Sequence, residues 1–171
     1  MTSTGEARNV LLEELRWVHN VLRGELEVCQ DLAVHVRGGA PPDEVRARLE
    51  ALQARGPLWL LRINCLRYCQ FVHGHHGHED ILLFPAVRSY APELSGVVDK
   101  LEADHRQVSD LLDIVEDAAR RLGTADEAAA RDSVAGALEN LSEHLLEHLA
   151  YEEVALAPVL VAWDHWPFFD R

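Results

Sequence analysis

The stretch HGHHGHED, residues 73 to 80, puts four histidines and two acids into eight positions. Imidazole nitrogens and carboxylate oxygens together can bind iron, zinc, manganese or copper. If the stretch were exposed, these side chains would simply be solvated. A metal site requires that particular members of the stretch point into a folded core, where ligands from other segments lie at matching positions.

The helical periodicity of the surrounding sequence separates these residues. At about 100° per residue, one face of this predicted helix is apolar, and it consists of Leu61, Cys65, Tyr68, Val72, Leu82, Leu83 and Ala86. Glu79 lies at the centre of that face, with His75 and His76 on either side of it. Away from this centre lie His73, His78 and Asp80. The pattern therefore predicts that His75, His76 and Glu79 point into the core.

A second segment, ENLSEHLLEHLAYEEVALAP, carries a similar feature. Its apolar stripe consists of Leu138, Leu141, Leu145, Leu149, Leu156 and Val159. Glu152 falls in the middle of this stripe, and His148 lies beside it, one turn earlier. His144 shares a face with His148 but lies further off-centre, and Glu153 projects towards the flank. A carboxylate among leucines is costly unless it is paired or bound to a metal.

Two further predicted helices each bear one histidine on an apolar face. His19 shares its face with Leu12, Leu15, Leu22 and Leu26, and His105 shares its face with Val98, Leu101, Val108 and Leu112. A single histidine of this kind is more often a hydrogen-bonded core residue than a ligand. Together, however, five neutral histidines and two buried carboxylates suit metal coordination, because the cation offsets the charge of the acids. The candidate ligands are His19, His75, His76, Glu79, His105, His148 and Glu152.

Seven ligands exceed what one ion usually accepts, whereas two ions that share bridging carboxylates can use all of them. Mixed imidazole and carboxylate ligation favours iron and also suits zinc or manganese. Cys65 and Cys69 have no second pair at zinc-finger spacing and are interpreted as small buried hydrophobic residues. The chemistry therefore predicts a dinuclear metal site.

Glycine, proline and capping residues in the sequence mark the ends of the helices that position these residues. The first predicted helix runs from about Glu6 to Val36 and stops at the Gly-Gly-Ala-Pro-Pro run of residues 38–42. The others are expected from Asp43 to Tyr90 with a break at Gly56-Pro57, from Ala91-Pro92-Glu93 to Leu122-Gly123, and from Thr124 or Asp126 to Trp163. Long helices with short connections predict an all-α, antiparallel, up-down-up-down four-helix bundle, here a single domain over residues 1–171.

Composition narrows the function classes. The chain has 171 residues, of which 48% are hydrophobic, and a formal net charge of −13 with only 16 basic residues. This balance argues against binding to nucleic acid or to anionic membrane surfaces, because both require concentrated basic charge. The N-terminal MTSTGEARNV lacks the pattern of a signal peptide, no apolar run reaches membrane-spanning length, and three cysteines form no disulfide framework. We therefore expect a cytoplasmic protein.

The sequence resembles the hemerythrin-like proteins of the HHE cation-binding family. The resemblance rests on His19 together with the stretches HHGHEDILLFPAV, LEADHRQV and HLLEHLAYEEVALAPVL, and it extends from His19 to Pro158. Each stretch is a weak signal alone, whereas their order, spacing and placement on helices are specific in combination.

The resemblance implies a non-haem diiron site with a solvent-derived oxo or hydroxo bridge. It implies that one iron is held by His19 and His75, the other by His76, His105 and His148, and that Glu79 and Glu152 bridge them. Oxygen-carrying hemerythrins take two histidines from the third helix, where this chain offers only His105. His76 is the proposed substitute, and His144 is the alternative.

The implied function is binding of O2 or a related small oxidant, such as nitric oxide or peroxide, for storage, sensing or detoxification. An alternative is a diiron enzyme with peroxidase-like, catalase-like or oxygenase activity, for which Tyr68 and Tyr151 would be the supporting residues. A further alternative is an interaction protein with a structural metal. The aromatic tail WDHWPFFDR, residues 163–171, must be covered by the bundle end or by another subunit, so a monomer or a homodimer is expected.

Overall fold

The chain forms long helices that pack side by side. The structure, a computed structural model, describes residues 10–38, 57–122 and 127–168, and only the backbone for residues 57–63 and 127. The elements are α1 (Val10–Arg37), α2 (Pro57–His78), a π-helical turn (Glu79–Leu83), α3 (Phe84–Tyr90), a 3-10 turn (Pro92–Leu94), α4 (Ser95–Arg121) and α5 (Glu127–Ala162). These ranges contain no strand. The prediction of an all-α helical bundle is confirmed.

The helices α1, α2, α4 and α5 form a ring in which each packs against two others. The contacting pairs are α1 with α2, α2 with α4, α4 with α5, and α5 with α1. In this arrangement the apolar face of each helix is turned towards a common interior. The up-down-up-down order of the helices stays a prediction.

The predicted helix ends agree with the structure where it describes them. The first helix ends at Arg37 and the last at Ala162, each within one residue of the prediction. The described part of the second helix starts at Pro57, and the predicted break at Gly56-Pro57 stays a prediction. The start at Glu6, the arm from Asp43 to Gly56 and the caps at Gly123, Thr124 and Asp126 lie outside the described residues.

The second predicted helix is interrupted by a wide turn at residues 79–83. The backbone N–H of Phe84 donates to the carbonyl of Glu79, five residues earlier, which is the hydrogen bond of a π-helix. Pro85 explains the interruption, because its ring would clash with the carbonyl of Ile81 in a regular α-helix and it has no N–H to donate. The structure thus places one extra residue in the turn beside the candidate ligands.

This turn rotates the residues that follow it. Phe84 and Val87 are fully buried, whereas Leu82 and Ala86 are only half-buried. The prediction that Leu82 and Ala86 belong to the apolar face was therefore wrong, because it assumed a uniform 100° per residue across Pro85. Leu83 is buried as predicted.

Two hydrophobic clusters fill the interior, and the candidate ligands lie between them. The large core cluster includes Leu22, Val72, Val108 and Leu149, and the small core cluster includes Leu15, Leu83, Leu101 and Leu156. Along every long helix, candidate ligands occur between a residue of one cluster and a residue of the other. A polar layer is therefore enclosed above and below by apolar side chains.

The aromatic residues after α5 pack on their own chain. Trp163 and Trp166 lie against the small core cluster, and the ring of Trp163 meets that of Tyr90 edge to face, with 5.8 Å between centroids. The described part of the tail therefore covers the end of this bundle, which is one of the two outcomes expected from the sequence. No helix within the described ranges is both long and apolar enough to cross a membrane.

Candidate metal centre

All seven candidate ligands lie inside the bundle. Six are buried, namely His19, His76, Glu79, His105, His148 and Glu152. His75 is nearly so, with 9% of its side chain exposed. His19 and Glu152 have no solvent exposure at all, so the layer is closed off from bulk water on the α1–α5 side.

The seven side chains form two adjacent groups. The first ligand group is His19, His75, Glu79 and Glu152, and the second ligand group is His76, His105 and His148. Within each group, one potential ligand atom per residue lies within 4.8 Å of the others. The division is the one that the resemblance implies, and that these residues bind metal stays a prediction.

The two glutamates each reach both groups. The Oε1 atom of Glu79 lies 3.2 Å from Nε2 of His75, and its Oε2 atom lies 3.5 Å from Nε2 of His105. The Oε2 atom of Glu152 lies 3.4 Å from Nε2 of His19 and 3.8 Å from Nε2 of His148. Each carboxylate therefore lies within 3.8 Å of a histidine of the first group and of a histidine of the second group.

The spacing of these atoms fits metal coordination. Ligands at about 2.0–2.2 Å from a common ion lie about 3.0–3.5 Å from one another, which matches most of the distances above. The Nε2 atoms of His105 and His148, both in the second group, are 3.1 Å apart. At this distance one imidazole can donate to the other, or both can point their lone pairs at one cation.

Seven of the polar atoms that face inward have no hydrogen-bond partner among the described residues. They are Nε2 of His19, His75 and His76, and both carboxylate oxygens of Glu79 and of Glu152. Buried polar atoms are normally hydrogen-bonded, so a concentration of unpaired ones needs a reason. Cations between the two carboxylates would satisfy all of them, and the donor set is one that iron, zinc and manganese accept. The residues present therefore fit a metal centre.

Comparison with models of protein families leads to the same conclusion. The model of the Hemerythrin HHE cation binding domain matches residues 10–160. The chain belongs to the hemerythrin HHE cation-binding family. The matched range contains both ligand groups, and membership implies that this hemerythrin domain binds a metal cation. Comparisons with curated proteins and with solved structures found no match.

Four of the candidate ligands of this hemerythrin domain are histidines that burial holds in the neutral form that a metal requires. Burial lowers the pKa of His75 from 6.5 to about 3 and that of His105 to about 2, and neighbouring imidazoles lower them further. Burial likewise lowers the pKa of His76 and of His148. At neutral pH their Nε2 lone pairs are therefore available without loss of a proton.

The buried acid Glu79 shows the opposite shift. Burial, and secondarily the charge of Glu152, raises its pKa well above 4.5. Two carboxylates that share a dry pocket without a cation repel each other and lack the hydrogen bonds that would stabilise their ionised forms. Bound cations would reverse this shift, because they favour the ionised carboxylate.

Two further acids fix the orientation of the histidine rings. Oε1 of Glu153 accepts a hydrogen bond from Nδ1 of His19 at 2.9 Å, and it also accepts one from Arg23 at 2.8 Å. Oδ1 of Asp80 accepts a hydrogen bond from Nδ1 of His105 at 2.8 Å. With the proton on Nδ1, the Nε2 lone pair of each ring faces the site, as in many metal centres.

Burial alone would raise the pKa of Glu153, but its hydrogen bonds to Arg23 and His19 outweigh burial and lower the pKa. Glu153 is therefore an anion held in place by α1. The sequence reasoning missed both outer acids, because it placed Glu153 on the flank and Asp80 on the far side. Their signal is the pair of acidic dipeptides, Glu79-Asp80 and Glu152-Glu153, in which the first acid points inward and the second accepts from a histidine of a neighbouring helix.

His144, the alternative to His76, lies outside both ligand groups. Its Nδ1 atom donates to the carbonyl of Asn140, one turn earlier on α5, at 2.9 Å. His76 instead stacks on His105 with 3.9 Å between ring centroids and meets His148 edge to face at 5.0 Å. The geometry thus supports His76, the histidine named from the sequence, as the third member of the second group.

Proposed function

We propose that this protein holds two iron ions with an oxo or hydroxo bridge, and that it binds O2 or a related small oxidant, nitric oxide or peroxide, in storage, sensing or detoxification. Zinc and manganese suit the same ligands. One observation carries the proposal. Two buried glutamates, neither with a hydrogen bond to its carboxylate oxygens from a described residue, each lie between a histidine of the first group and a histidine of the second.

The two positions offer different numbers of protein ligands. The first group contains two imidazoles and both carboxylates, whereas the second contains three imidazoles, with Glu79 3.5 Å from His105 and Glu152 3.8 Å from His148. An ion in the first position would thus have one protein ligand fewer, and this is where we place an external ligand. Two ferrous ions side by side would together supply two electrons to an oxidant.

The chain's own residues would control this reactivity. The apolar clusters above and below the polar layer limit its contact with water, which strengthens the electrostatic interactions of any bound charge. Glu153 and Asp80 hold the Nδ1 protons of His19 and His105 and so keep the ring nitrogens oriented. The anionic Glu153 also places a negative charge beside His19, a ligand of the position that we assign to the oxidant.

The test begins with metal content. Protein that is stripped of metal and then loaded with Fe²⁺ without oxygen should retain two ions per chain, and admission of air should produce a visible charge-transfer absorption. His75→Ala should abolish this absorption, and His144→Ala, the matched control from outside both groups, should leave it intact. Retention of one ion per chain, or an unchanged spectrum after O2, nitric oxide and peroxide in turn, would contradict the proposal.

The same preparation separates a carrier or sensor from an enzyme. Stoichiometric binding without turnover supports the carrier or sensor that we propose. Steady consumption of hydrogen peroxide that is lost in Glu79→Gln would indicate the peroxidase-like or catalase-like alternative. Two tyrosines were named for that alternative. The Nζ atom of Lys100 lies 4.2 Å from the centroid of the Tyr151 ring, and Tyr68 is buried in the large core cluster.

A further inference from the structure

A cavity of about 350 Å³ opens beside the first ligand group. Most of its wall is apolar, formed by Leu15, Val18, Leu82, Leu83, Trp166 and Phe168. His75 and Glu79 also line it, so one end of the cavity borders the position that has fewer protein ligands. The cavity is open to solvent on one side.

The cavity is much larger than a small oxidant requires. A water molecule occupies about 30 Å³ in the liquid, and O2 and nitric oxide are likewise very small. Pockets for organic ligands commonly measure about 300–1,000 Å³ and combine apolar walls with a few polar groups. The size and lining of this cavity therefore match a compact organic molecule.

The aromatic segment after α5 forms one wall of the cavity. The Nε1 atom of Trp166 donates a 2.7 Å hydrogen bond to Oε2 of Glu14 on α1, and the ring of Trp166 stacks on Phe168 at 5.5 Å between centroids. A hydrogen bond to α1 thus holds the Trp166 ring in the wall of the cavity. Two aromatic rings placed in this way offer a flat surface for stacking against a planar ligand.

The polar groups of the cavity indicate the charge of its ligand. Two acids, Glu14 and Glu79, line it together with the imidazoles of His75 and His78, and no lysine or arginine is among the described residues of the wall. An anion would meet these carboxylates, and the described part of the wall offers no lysine or arginine to pair with it. A neutral molecule with one hydrogen-bonding group fits this lining best.

We propose that this cavity binds a neutral, planar organic molecule of one or two rings, whose polar group faces His75 and Glu79 and whose rings lie against Trp166 and Phe168. The effect of this binding rests on the proposed function, because the bound molecule would control access of a small oxidant to the first ligand group. The binding itself depends on the cavity alone.

The probe for this proposal is 2-naphthol, which is neutral at pH 7, has two fused rings and one hydroxyl, and is fluorescent. Titration into the full-length protein loaded with redox-silent zinc should give saturable binding. Leu82→Trp fills the cavity and should weaken binding at least tenfold. Ile81→Trp adds the same side chain at the neighbouring, solvent-exposed position and should change binding less than twofold.

Two further measurements test the aromatic wall of the cavity and its preference for a neutral ligand. Trp166→Ala should weaken 2-naphthol binding severalfold, because it removes the stacking surface. The anion 2-naphthol-6-sulfonate should bind at least tenfold more weakly than 2-naphthol. Zinc stoichiometry of Leu82→Trp equal to that of the unmodified protein would show that this variant folds with its metal centre intact.

Absence of saturable 2-naphthol binding, or binding that Leu82→Trp leaves unchanged, would overturn the proposal. Equal losses in Leu82→Trp and Ile81→Trp would overturn it as well, because the effect would then not come from the cavity. None of these measurements uses iron or O2. Failure of the oxidant chemistry with intact 2-naphthol binding would therefore refute the proposed function alone, and the converse result would refute the cavity proposal alone.

Discussion

Replacement of Glu79 by glutamine should make the metal-free protein more stable. Glu79 is buried without a hydrogen-bond donor among the described residues, and its pKa is raised well above 4.5. The folded chain therefore holds a proton on this carboxyl at pH values where the unfolded chain has lost it. Its contribution to stability is full below pH 4.5 and is lost as the pH rises, because the unfolded state releases the proton first.

The size of this stability cost follows from the difference between the solution pH and 4.5, the ordinary pKa of a glutamate. Each pH unit above 4.5 costs about 1.36 kcal/mol for a carboxyl that stays protonated, so the ceiling is about 3.4 kcal/mol at pH 7 and about 1.4 kcal/mol at pH 5.5. Glutamine has the same shape and no ionisation, so Glu79→Gln should remove this cost. Its amide can donate to the neutral Nε2 atom of His75, which lies 3.2 Å from the present carboxylate oxygen.

Urea denaturation in the presence of a chelator, at pH 7.0, 5.5 and 4.5, measures the effect. The free energy of unfolding of Glu79→Gln should exceed that of the unmodified protein at pH 7.0, and the difference should shrink towards zero at pH 4.5. The exposed Glu143→Gln on the same bundle should stay within about 0.5 kcal/mol of the unmodified protein. A Glu79→Gln protein that is no more stable at pH 7.0, or a difference that does not vary with pH, would refute the reasoning.

Three other predictions concern the ligands and their outer partners. Asp80→Asn and Glu153→Gln should each lower zinc affinity about 10–100-fold in chelator competition. Asp99→Asn, which changes an exposed partner of Arg88, should leave zinc affinity unchanged. Equal zinc affinities in all three variants would contradict the role of the outer acids. His76→Ala should reduce bound zinc from two ions per chain to one, and His144→Ala should retain two; the reverse result would restore His144 as the ligand. Metal-free Glu79→Gln should lose stability as the pH falls from 6.5 towards 4, by about 1.4 kcal/mol per pH unit for each of His75 and His105, because the unfolded chain binds protons that these buried rings reject. Addition of His75→Gln should make that slope shallower, and an unchanged slope would show that His75 is not the source.

Most of the bundle and the inward-facing residues could be predicted from periodicity. Placing a carboxylate such as Glu152 in a leucine stripe is costly, so its position in the sequence alone indicates a special environment. The same reasoning applied to His19 and His105, each one histidine on an otherwise apolar face. The structure buries all three and brings them into one layer.

The turn at residues 79–83 was missed because helical periodicity was extended across Pro85. Proline inside an α-helix lacks an N–H to donate and clashes with the carbonyl four residues earlier, and at Pro85 the chain responds with a hydrogen bond from Phe84 to Glu79. The face of every later residue then changes, which is why Phe84 and Val87 are buried instead of Leu82 and Ala86. Pro85 was visible in the sequence, and it was the signal for this departure.

The outer acids could not be placed from a single helix. Asp80 and Glu153 lie off the apolar faces of their own helices, and their role depends on which histidine a neighbouring helix brings beside them. Such a contact depends on the axial offset between helices, and the periodicity of one segment does not contain that offset. The cavity beside His75 is similar, since its wall combines α1, the π-helical turn and the tail.

Diffraction from crystals of the iron-loaded protein, measured at the iron absorption edge, tests the central claim most directly. Two anomalous peaks should appear in each chain, about 3.5–4 Å apart, with Glu79 and Glu152 between them and the histidines of the two groups on opposite sides. A single peak per chain, or two peaks that share neither glutamate, would contradict this claim.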